Sequence, residues 1–124
     1  MFSFFSWVLL LDCHSRMTDK RIVLTTAGSE EEARKIARAL VERHLAACVN
    51  IIPQITSIYR WQGETEEARE WLLLIKTTEA AFAQLQEAIA ELHSYDLPEC
   101  IKVVIESGSS GYLKWIEDSV SIDK

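Results

Sequence analysis

The sequence has few cysteines, and none of them forms a recognisable pair. Cys13, Cys48 and Cys100 are an odd number at scattered spacing, with no C-x-x-C motif. Such a set excludes a disulfide framework and is typical of proteins kept in a reducing compartment. We therefore expect a cytoplasmic protein.

Positive charge is also scarce, since thirteen basic side chains face nineteen acidic ones and the net charge is −6. A negative chain repels phosphate backbones, which argues against nucleic acid as a partner and favours cations. With 124 residues, 48% of them hydrophobic, the chain is expected to form one globular domain over residues 17–124.

The chain lacks an apolar run long enough to cross a bilayer. The apolar stretch 2–11 is about half the needed length and has no basic residue before it, so we expect no membrane partner. We interpret residues 1–16 as an N-terminal extension, because Met17 precedes a strand-like run; a membrane-facing or cleaved segment is the alternative. Cys13 and His14 are metal-ligand types, but two adjacent ligands are usually incidental.

Catalytic motifs are absent as well. The sequence contains no G-x-S-x-G, no phosphate-binding loop and no H-E-x-x-H, so no residue is marked as a nucleophile or a hydrolytic metal ligand. We expect a protein that is not an enzyme and requires no cofactor.

What the sequence does have is a long β-rich stretch, Ala46 to Trp61, that ends at the turn 62–64. Pro53 cannot donate to a ladder, so we expect a bulge or kink there. The run Arg69 to Thr77 should pair back on it and complete a hairpin. A strand of about sixteen residues at roughly 3.3 Å each would reach about 50 Å, which is longer than a compact domain of this size.

Part of that hairpin must therefore project from its own domain. It carries large apolar residues that a monomer would not expose, namely Ile55, Ile58, Tyr59, Trp61 and Trp71. Exposed apolar ribbons with open edges are used in oligomers. We predict a homotrimer with no stable folded monomer, in which a charge placed at Ile58 or Trp71 unfolds the protein.

The first strand and helix follow from local patterns. Arg21 to Thr26 is a short β-rich run, and Ser29 is predicted to cap a helix whose apolar stripe runs at i, i+3, i+4 spacing. Glu32 is expected to bond back to the cap residue. We assign His44 a structural role at the negative end of this helix.

A second helix is predicted after Thr77-Thr78-Glu79, followed by a strand at Cys100 to Glu106 and a short helix from Tyr112. The order strand, helix, strand, strand, helix, strand is that of the ferredoxin-like α+β fold, with both helices on one face of an antiparallel sheet. A partner subunit is the simplest cover for the other face. RNA-recognition domains share this order, but their stacking aromatics on the first strand are missing here.

Five motifs resemble the CutA family of divalent-cation tolerance proteins. In the order in which they occur, they are Leu45-Ala-Ala-Cys-Val-Asn-Ile-Ile-Pro, Thr56-Ser-Ile-Tyr-Arg-Trp-Gln-Gly, Leu74-Ile-Lys-Thr-Thr, Leu92-His-Ser-Tyr-Asp-Leu-Pro-Glu and Tyr112-Leu-Lys-Trp-Ile. The resemblance covers about residues 20–120. It implies a ferredoxin-like trimer, akin to the PII signalling proteins, that is linked to copper and other divalent ions and has no settled catalytic activity.

The chain departs from the family pattern at several positions. Members commonly carry Trp-Glu-Gly-Lys where this chain has Trp61-Gln62-Gly63-Glu64. Copper-associated bacterial members have cysteine and histidine at the positions matching Thr25 and Leu92, so only His93 remains of that trio.

Candidate metal ligands cluster around one proline turn. They are His93, Asp96, Glu99 and Cys100, close to Tyr95, and imidazole, carboxylate and thiolate all bind copper or zinc. We name His93, Glu99 and the more distant Cys48 as possible ligands for Cu²⁺ or another divalent cation. The alternative is a structural loop in which Glu99 pairs with a lysine such as Lys76 of a neighbour, and Cys48 is a small buried hydrophobe.

A second candidate site is aromatic. Tyr59, Trp61 and Trp71, with Lys76 and Tyr95, could wall a small-ligand cleft or pack in the trimer interface. The leading hypothesis is a homotrimeric cation-tolerance or PII-like signalling protein that binds divalent ions or acts through unknown protein partners. The alternative is a trimeric scaffold with an indirect link to metal.

Overall fold

The computed structural model describes residues 18–121. The predictions made for the extension 1–16, for Cys13 and His14, and for a start at Met17 lie outside the described residues. Among residues 18–121, no helix is both long enough and apolar enough to cross a membrane.

Four strands and three helices follow one another in the predicted order. They are β1 (Lys20–Ala27), α1 (Glu30–Glu42), β2 (Cys48–Trp61), β3 (Glu64–Thr78), α2 (Phe82–Leu92), β4 (Ile101–Val104) and α3 (Ser110–Ser119). The strands form one antiparallel sheet in the order β2-β3-β1-β4. The predicted α+β class is confirmed.

The core lies between one face of the sheet and the helices α1 and α2. Strand alternation sends Val23 of β1 and Leu73 and Ile75 of β3 to this face, where they are fully buried. They pack against the apolar stripes of the two helices, which contribute Ile36, Leu40, Leu85 and Ile89. α1 begins as predicted, because the side chain of Ser29 accepts a hydrogen bond from the Glu32 backbone N–H.

The opposite face of the sheet is less completely covered. Val103 of β4 pairs with Ile22, which alternates with the core residue Val23, so Val103 points away from α1 and α2. Val103 and its neighbour on the same face, Ile101, are 44% and 52% exposed. In a single chain the sheet face for which we predicted a partner subunit as cover is therefore open at β4.

The predicted long hairpin is present, with 14 residues in β2 and 15 in β3, and it is bent where Pro53 predicted a bend. The β2–β3 register shifts between Ile52 and Ile55, and Gln54 there has φ 55°. At the far end Gln62 and Gly63 have φ 51° and 82°, the left-handed pair that a two-residue hairpin turn of type I′ requires.

β3 begins at Glu64 and not at Arg69 as predicted. The acidic run 64–67 has no apolar alternation, so its sequence alone gave no strand signal. It is held in the sheet by pairing with β2, from Trp61 opposite Glu64 to Ile58 opposite Glu67.

Three smaller boundaries also differ from prediction. Thr77 and Thr78 belong to β3, and α2 starts after Ala81, which makes no side-chain cap. Thr78 Oγ1 instead accepts from the Ala81 N–H at 3.3 Å. β4 has only four residues because it pairs only with the stretch of β1 from Arg21 to Leu24, and α3 starts two residues earlier than expected, at Ser110.

His44 lies just past the end of α1, beyond the cap residue Arg43. It is exposed and adopts φ 61°. Its carbonyl oxygen accepts a hydrogen bond from the Ser121 N–H at 2.9 Å. Its backbone thus joins the end of α1 to the segment that follows α3.

Candidate functional site

A cleft of about 700 Å³ opens between the hairpin and the loop that follows α2. We call it the hairpin cleft. Its wall combines three carboxylates with three aromatic rings, contributed by Glu70, Asp96, Glu99, Tyr59, Trp61 and Tyr95. Its volume falls in the range of small-ligand sites.

Strand alternation places four of the five hairpin residues that line the cleft on one face of the ribbon, and only Ile58 alternates with them. Tyr59 and Trp61 are two residues apart on β2 and point to the same side. Their partners across the ladder are Glu66 and Glu64. Glu70 shares the side of these partners, because it lies four residues along β3 from Glu66.

Tyr95 connects the loop to the base of the hairpin. Its hydroxyl donates a hydrogen bond to Glu70 Oε2 at 2.9 Å, and Glu70 is only 9% exposed. Partial burial and the negative charges of Glu70 and Glu32 raise the pKa of Tyr95 to about 12. The phenol is therefore neutral at physiological pH and acts as a donor.

Gly28 makes room for this tyrosine. A Cβ atom at this position would lie 3.0 Å from the Tyr95 hydroxyl oxygen. A glycine after β1 thus lets the ring sit close to the backbone and reach Glu70.

His93 is buried beneath the loop, with both ring nitrogens engaged. Nδ1 accepts a hydrogen bond from the Tyr95 N–H at 3.1 Å, so Nε2 carries the proton and donates to the carbonyl oxygen of Thr26 at 2.5 Å. The His93 and Tyr95 ring centroids are 4.6 Å apart. In this arrangement the imidazole positions the loop and has no free lone pair for a metal ion.

Glu32 ties the same loop to the start of α1. Its carboxylate accepts hydrogen bonds from the Ser94 N–H at 2.6 Å and the Ser94 hydroxyl at 3.1 Å, and not from the cap residue Ser29 as predicted. Burial raises the pKa of Glu32, but the bonds from Ser94 outweigh it and the pKa lies below its usual value.

The predicted metal ligands do not come together in a single chain. Glu99 lines the hairpin cleft, whereas Cys48 pairs with Lys76 at the other end of β2, with the lysine Nζ 4.0 Å from its sulfur. Among residues 18–121, no three His, Cys, Asp or Glu side chains are placed to hold a metal ion. The described residues thus do not fit a preformed copper site, and metal binding through His93, Glu99 and Cys48 stays a prediction.

Cys100, the other thiol near the loop, packs partly against the core. Burial, with the nearby charge of Glu99, raises the pKa of its thiol. A thiol with a raised pKa is less reactive and a weaker ligand at neutral pH.

The predicted aromatic site is brought together in part. Tyr59, Trp61 and Tyr95 line the hairpin cleft. Trp71 instead lines a separate cavity of about 430 Å³ beside the bulge. Lys76 lies near Cys48 and hydrogen-bonds the Asn50 side chain.

Sequence reasoning missed two residues that shape the cleft, Glu70 and Glu32. The signal for Glu70 was available: extending the hairpin register to the turn puts it on the Tyr59 face. The role of Glu32 was hidden because its spacing from Ser29 also fits a helix capping box.

Comparison with known proteins places this arrangement in context. The family model for the CutA1 divalent ion tolerance protein matches residues 21–119. The divalent-cation tolerance protein CutA of Thermus thermophilus is 53% identical over 100 residues, covering 81% of this chain and 97% of that protein. Human protein CutA is 46% identical over 91 residues, covering 73% of this chain and 51% of its own length, so this chain spans about half of that relative.

Solved structures of such proteins have the same fold. The divalent cation tolerance protein of Thermus thermophilus aligns with a TM-score of 0.81 at 52% identity, covering 82% of this chain and 99% of that one. CutA from Xylella fastidiosa aligns with a TM-score of 0.82 at 38% identity, covering 84% and 100%.

Proposed function

The chain belongs to the CutA1 divalent ion tolerance protein family, and from this premise we propose that it serves in divalent-cation tolerance as a homotrimeric, ligand-responsive signalling module. The observation that carries the proposal is the hairpin cleft. Its volume and its acidic and aromatic lining suit a small ligand, whereas the described residues of one chain offer no group of three metal-binding side chains.

The homotrimer is supported by apolar surface on the hairpin. Ile58 is 67% exposed although it is large and apolar. Together with the open face at Ile101 and Val103, it forms surface that a second copy would remove from water. The number of three subunits is taken from the family resemblance.

Sedimentation equilibrium of the full chain at micromolar concentration tests the assembly. The expected species has about three times the 14.2 kDa chain mass. A stable species at the chain mass would contradict the proposal.

Complementation tests the tolerance role. In a bacterial strain lacking CutA, the wild-type chain should restore growth in excess Cu²⁺ or Zn²⁺. Glu70→Gln, which alters the cleft, should restore it poorly, and Glu67→Gln, on the other face of the ribbon, should restore it fully. Equal rescue by both variants would show that the cleft is not needed for cation tolerance.

Direct binding of copper or another divalent cation by His93 and Glu99 is the second candidate, since CutA relatives are named for tolerance of such ions. It requires His93 to give up one of its two hydrogen bonds. Isothermal titration with Cu²⁺ and Zn²⁺ decides: saturable heat that is lost in a folded His93→Gln trimer supports direct binding, and its absence favours a module that acts through the cleft or as a scaffold.

We further propose cytoplasmic residence, from the unpaired Cys48 and Cys100. Relatives differ in their named location, since the Arabidopsis thaliana protein is called chloroplastic and the Archaeoglobus fulgidus one periplasmic. Fractionation that finds the protein outside the cytoplasm would overturn this assignment.

A further inference from the structure

The hairpin cleft is strongly acidic for its size. Glu70, Asp96 and Glu99 line it, and the cleft-lining residues within the described chain include no lysine, arginine or histidine. A concave, partly apolar wall with one sign of charge concentrates ions of the opposite sign. The cleft therefore selects for a cation.

The two faces of the hairpin differ in charge, and the cleft lies on the acidic one. Alternation puts Glu64 and Glu66 beside the cleft aromatics, while Arg60 and Arg69 point to the opposite face. Neither arginine side chain therefore points toward the cleft carboxylates. The negative charge of the cleft is not neutralised by these two residues and can attract a cationic ligand.

Glu70 is the most buried charge of the wall, at 9% exposure. Tyr95 donates a hydrogen bond to its Oε2, and no other described residue donates a hydrogen bond to the Glu70 carboxylate. A carboxylate can accept several bonds. One oxygen of a nearly buried acid is therefore left to a ligand in the cleft.

The aromatic rings favour an organic cation over a metal ion. Tyr59, Trp61 and Tyr95 are 45%, 53% and 36% exposed, so part of each ring is open to solvent. Weakly hydrated alkylammonium groups bind the faces of such rings, as in aromatic cages. A metal ion would instead need a close group of three ligands, which residues 18–121 do not provide.

We propose that the hairpin cleft binds a small organic cation carrying a quaternary or alkylammonium group. The charged head lies against Tyr59, Trp61 and Tyr95 and is neutralised by Glu70, with Asp96 and Glu99 at the rim. This inference rests on the proposed function, since it names the ligand class of the same cleft.

Choline chloride is a suitable probe, and 3,3-dimethylbutan-1-ol is its neutral counterpart of nearly the same shape. In isothermal titration of the wild-type trimer, choline should bind about tenfold or more tightly than the alcohol, because only choline gains the cation–π and carboxylate attraction. Binding should weaken as salt is added.

Two variants and a matched control assign the site. Glu70→Gln keeps the side-chain shape and an acceptor for Tyr95, and should weaken choline about fivefold or more while leaving the alcohol unchanged. Trp61→Leu, at an exposed position, should weaken choline by a similar factor. Glu67→Gln removes a charge from the other face of the ribbon and should leave choline binding unchanged.

Equal affinity for choline and the alcohol, no saturable binding of choline, or equal effects of Glu70→Gln and Glu67→Gln would each overturn the inference. Sedimentation of the same samples separates this failure from that of the proposed function. A trimer that does not bind choline defeats the organic-cation inference alone, whereas the absence of a trimer defeats the proposed assembly first.

Discussion

The hydroxyl of Tyr95 donates a hydrogen bond to Glu70 Oε2 at 2.9 Å, across 25 residues of sequence. This contact fixes the loop after α2 against the base of the hairpin. The Tyr95 ring packs against the buried ring of His93, and it also lines the hairpin cleft. The stability of the loop and the shape of the cleft therefore depend on the same side chain.

Tyr95→Phe should lower the free energy of unfolding by about 0.5–1.5 kcal/mol at neutral pH, because the nearly buried Glu70 loses its donor. Urea unfolding followed by circular dichroism measures this loss. The exposed Tyr112 provides the control, since Tyr112→Phe should change the midpoint little.

The same pair predicts a dependence on alkaline pH. The pKa of Tyr95 is about 12 when folded, against the usual 10.0, so its contribution is complete below pH 10 and is lost as the pH rises towards 12. Absorbance at 295 nm should show one of the three tyrosines ionising last, and Tyr95→Phe should remove that late step. Simultaneous ionisation of all three would contradict the burial of Tyr95.

Glu32→Gln should weaken the link between α1 and the loop by about 1–2 kcal/mol, because two hydrogen bonds to a carboxylate become bonds to a neutral amide. The folded pKa of Glu32 is depressed below 4.5. Its ionic contribution is therefore present above the unfolded pKa and is lost as the pH falls through the lower, folded value.

Urea midpoints between pH 7 and pH 3 measure this effect. The gap between wild type and Glu32→Gln should close as the pH falls through the depressed folded pKa of Glu32, below which both side chains are neutral. Glu31→Gln is the matched control, since Glu31 is exposed in the same helical turn. A gap that stays constant with pH would mean that the charge of Glu32 does not contribute to the stability of the fold.

Gly28→Ala should destabilise the fold by about 1 kcal/mol, because the new methyl group would lie 3.0 Å from the Tyr95 hydroxyl. Gly111→Ala should instead stabilise α3 by about 0.5–1 kcal/mol, since nothing lies within 4 Å of that position. Thermal unfolding of the two variants compares them directly. In a Tyr95→Phe background the cost of Gly28→Ala should shrink, and an unchanged cost would rule out the hydroxyl contact as its cause.

Ile58→Asp should abolish the folded protein at micromolar concentration and not release a stable monomer, because the charge would be buried in the proposed trimer. Ile58 is 67% exposed in the single chain, so a folded monomer of this variant, seen by sedimentation and circular dichroism, would show that the chain folds without its partners. Its ladder partner Glu67 gives the control: Glu67→Gln should leave the assembly intact.

Patterns that repeat within one element were predictable from the sequence. The β-rich composition of Ala46 to Trp61, the break at Pro53 and the apolar stripe of α1 predicted the hairpin, its bulge and the helix. They are local, since each follows from the geometry of one strand or one helix. The order of these elements then gave the ferredoxin-like class.

The length of β3 and the cap of α2 were not predictable in this way. Glu64 to Glu67 form a strand only because β2 lies beside them. Thr78 looked like a helix cap but is needed at the end of β3, and its hydroxyl reaches the Ala81 N–H from there. In both cases pairing across the sheet overrode local propensity.

The sequence by itself determined the fold class, the long hairpin and the presence of Tyr59, Trp61 and Tyr95 in a candidate site, because short-range periodicity and motifs encode these. Only the tertiary structure decided that Glu70 joins them and that Trp71 does not. The reason is physical: which side chains share a cleft depends on register and on contacts between residues far apart in the chain, such as His93 with Thr26. No local pattern records those contacts.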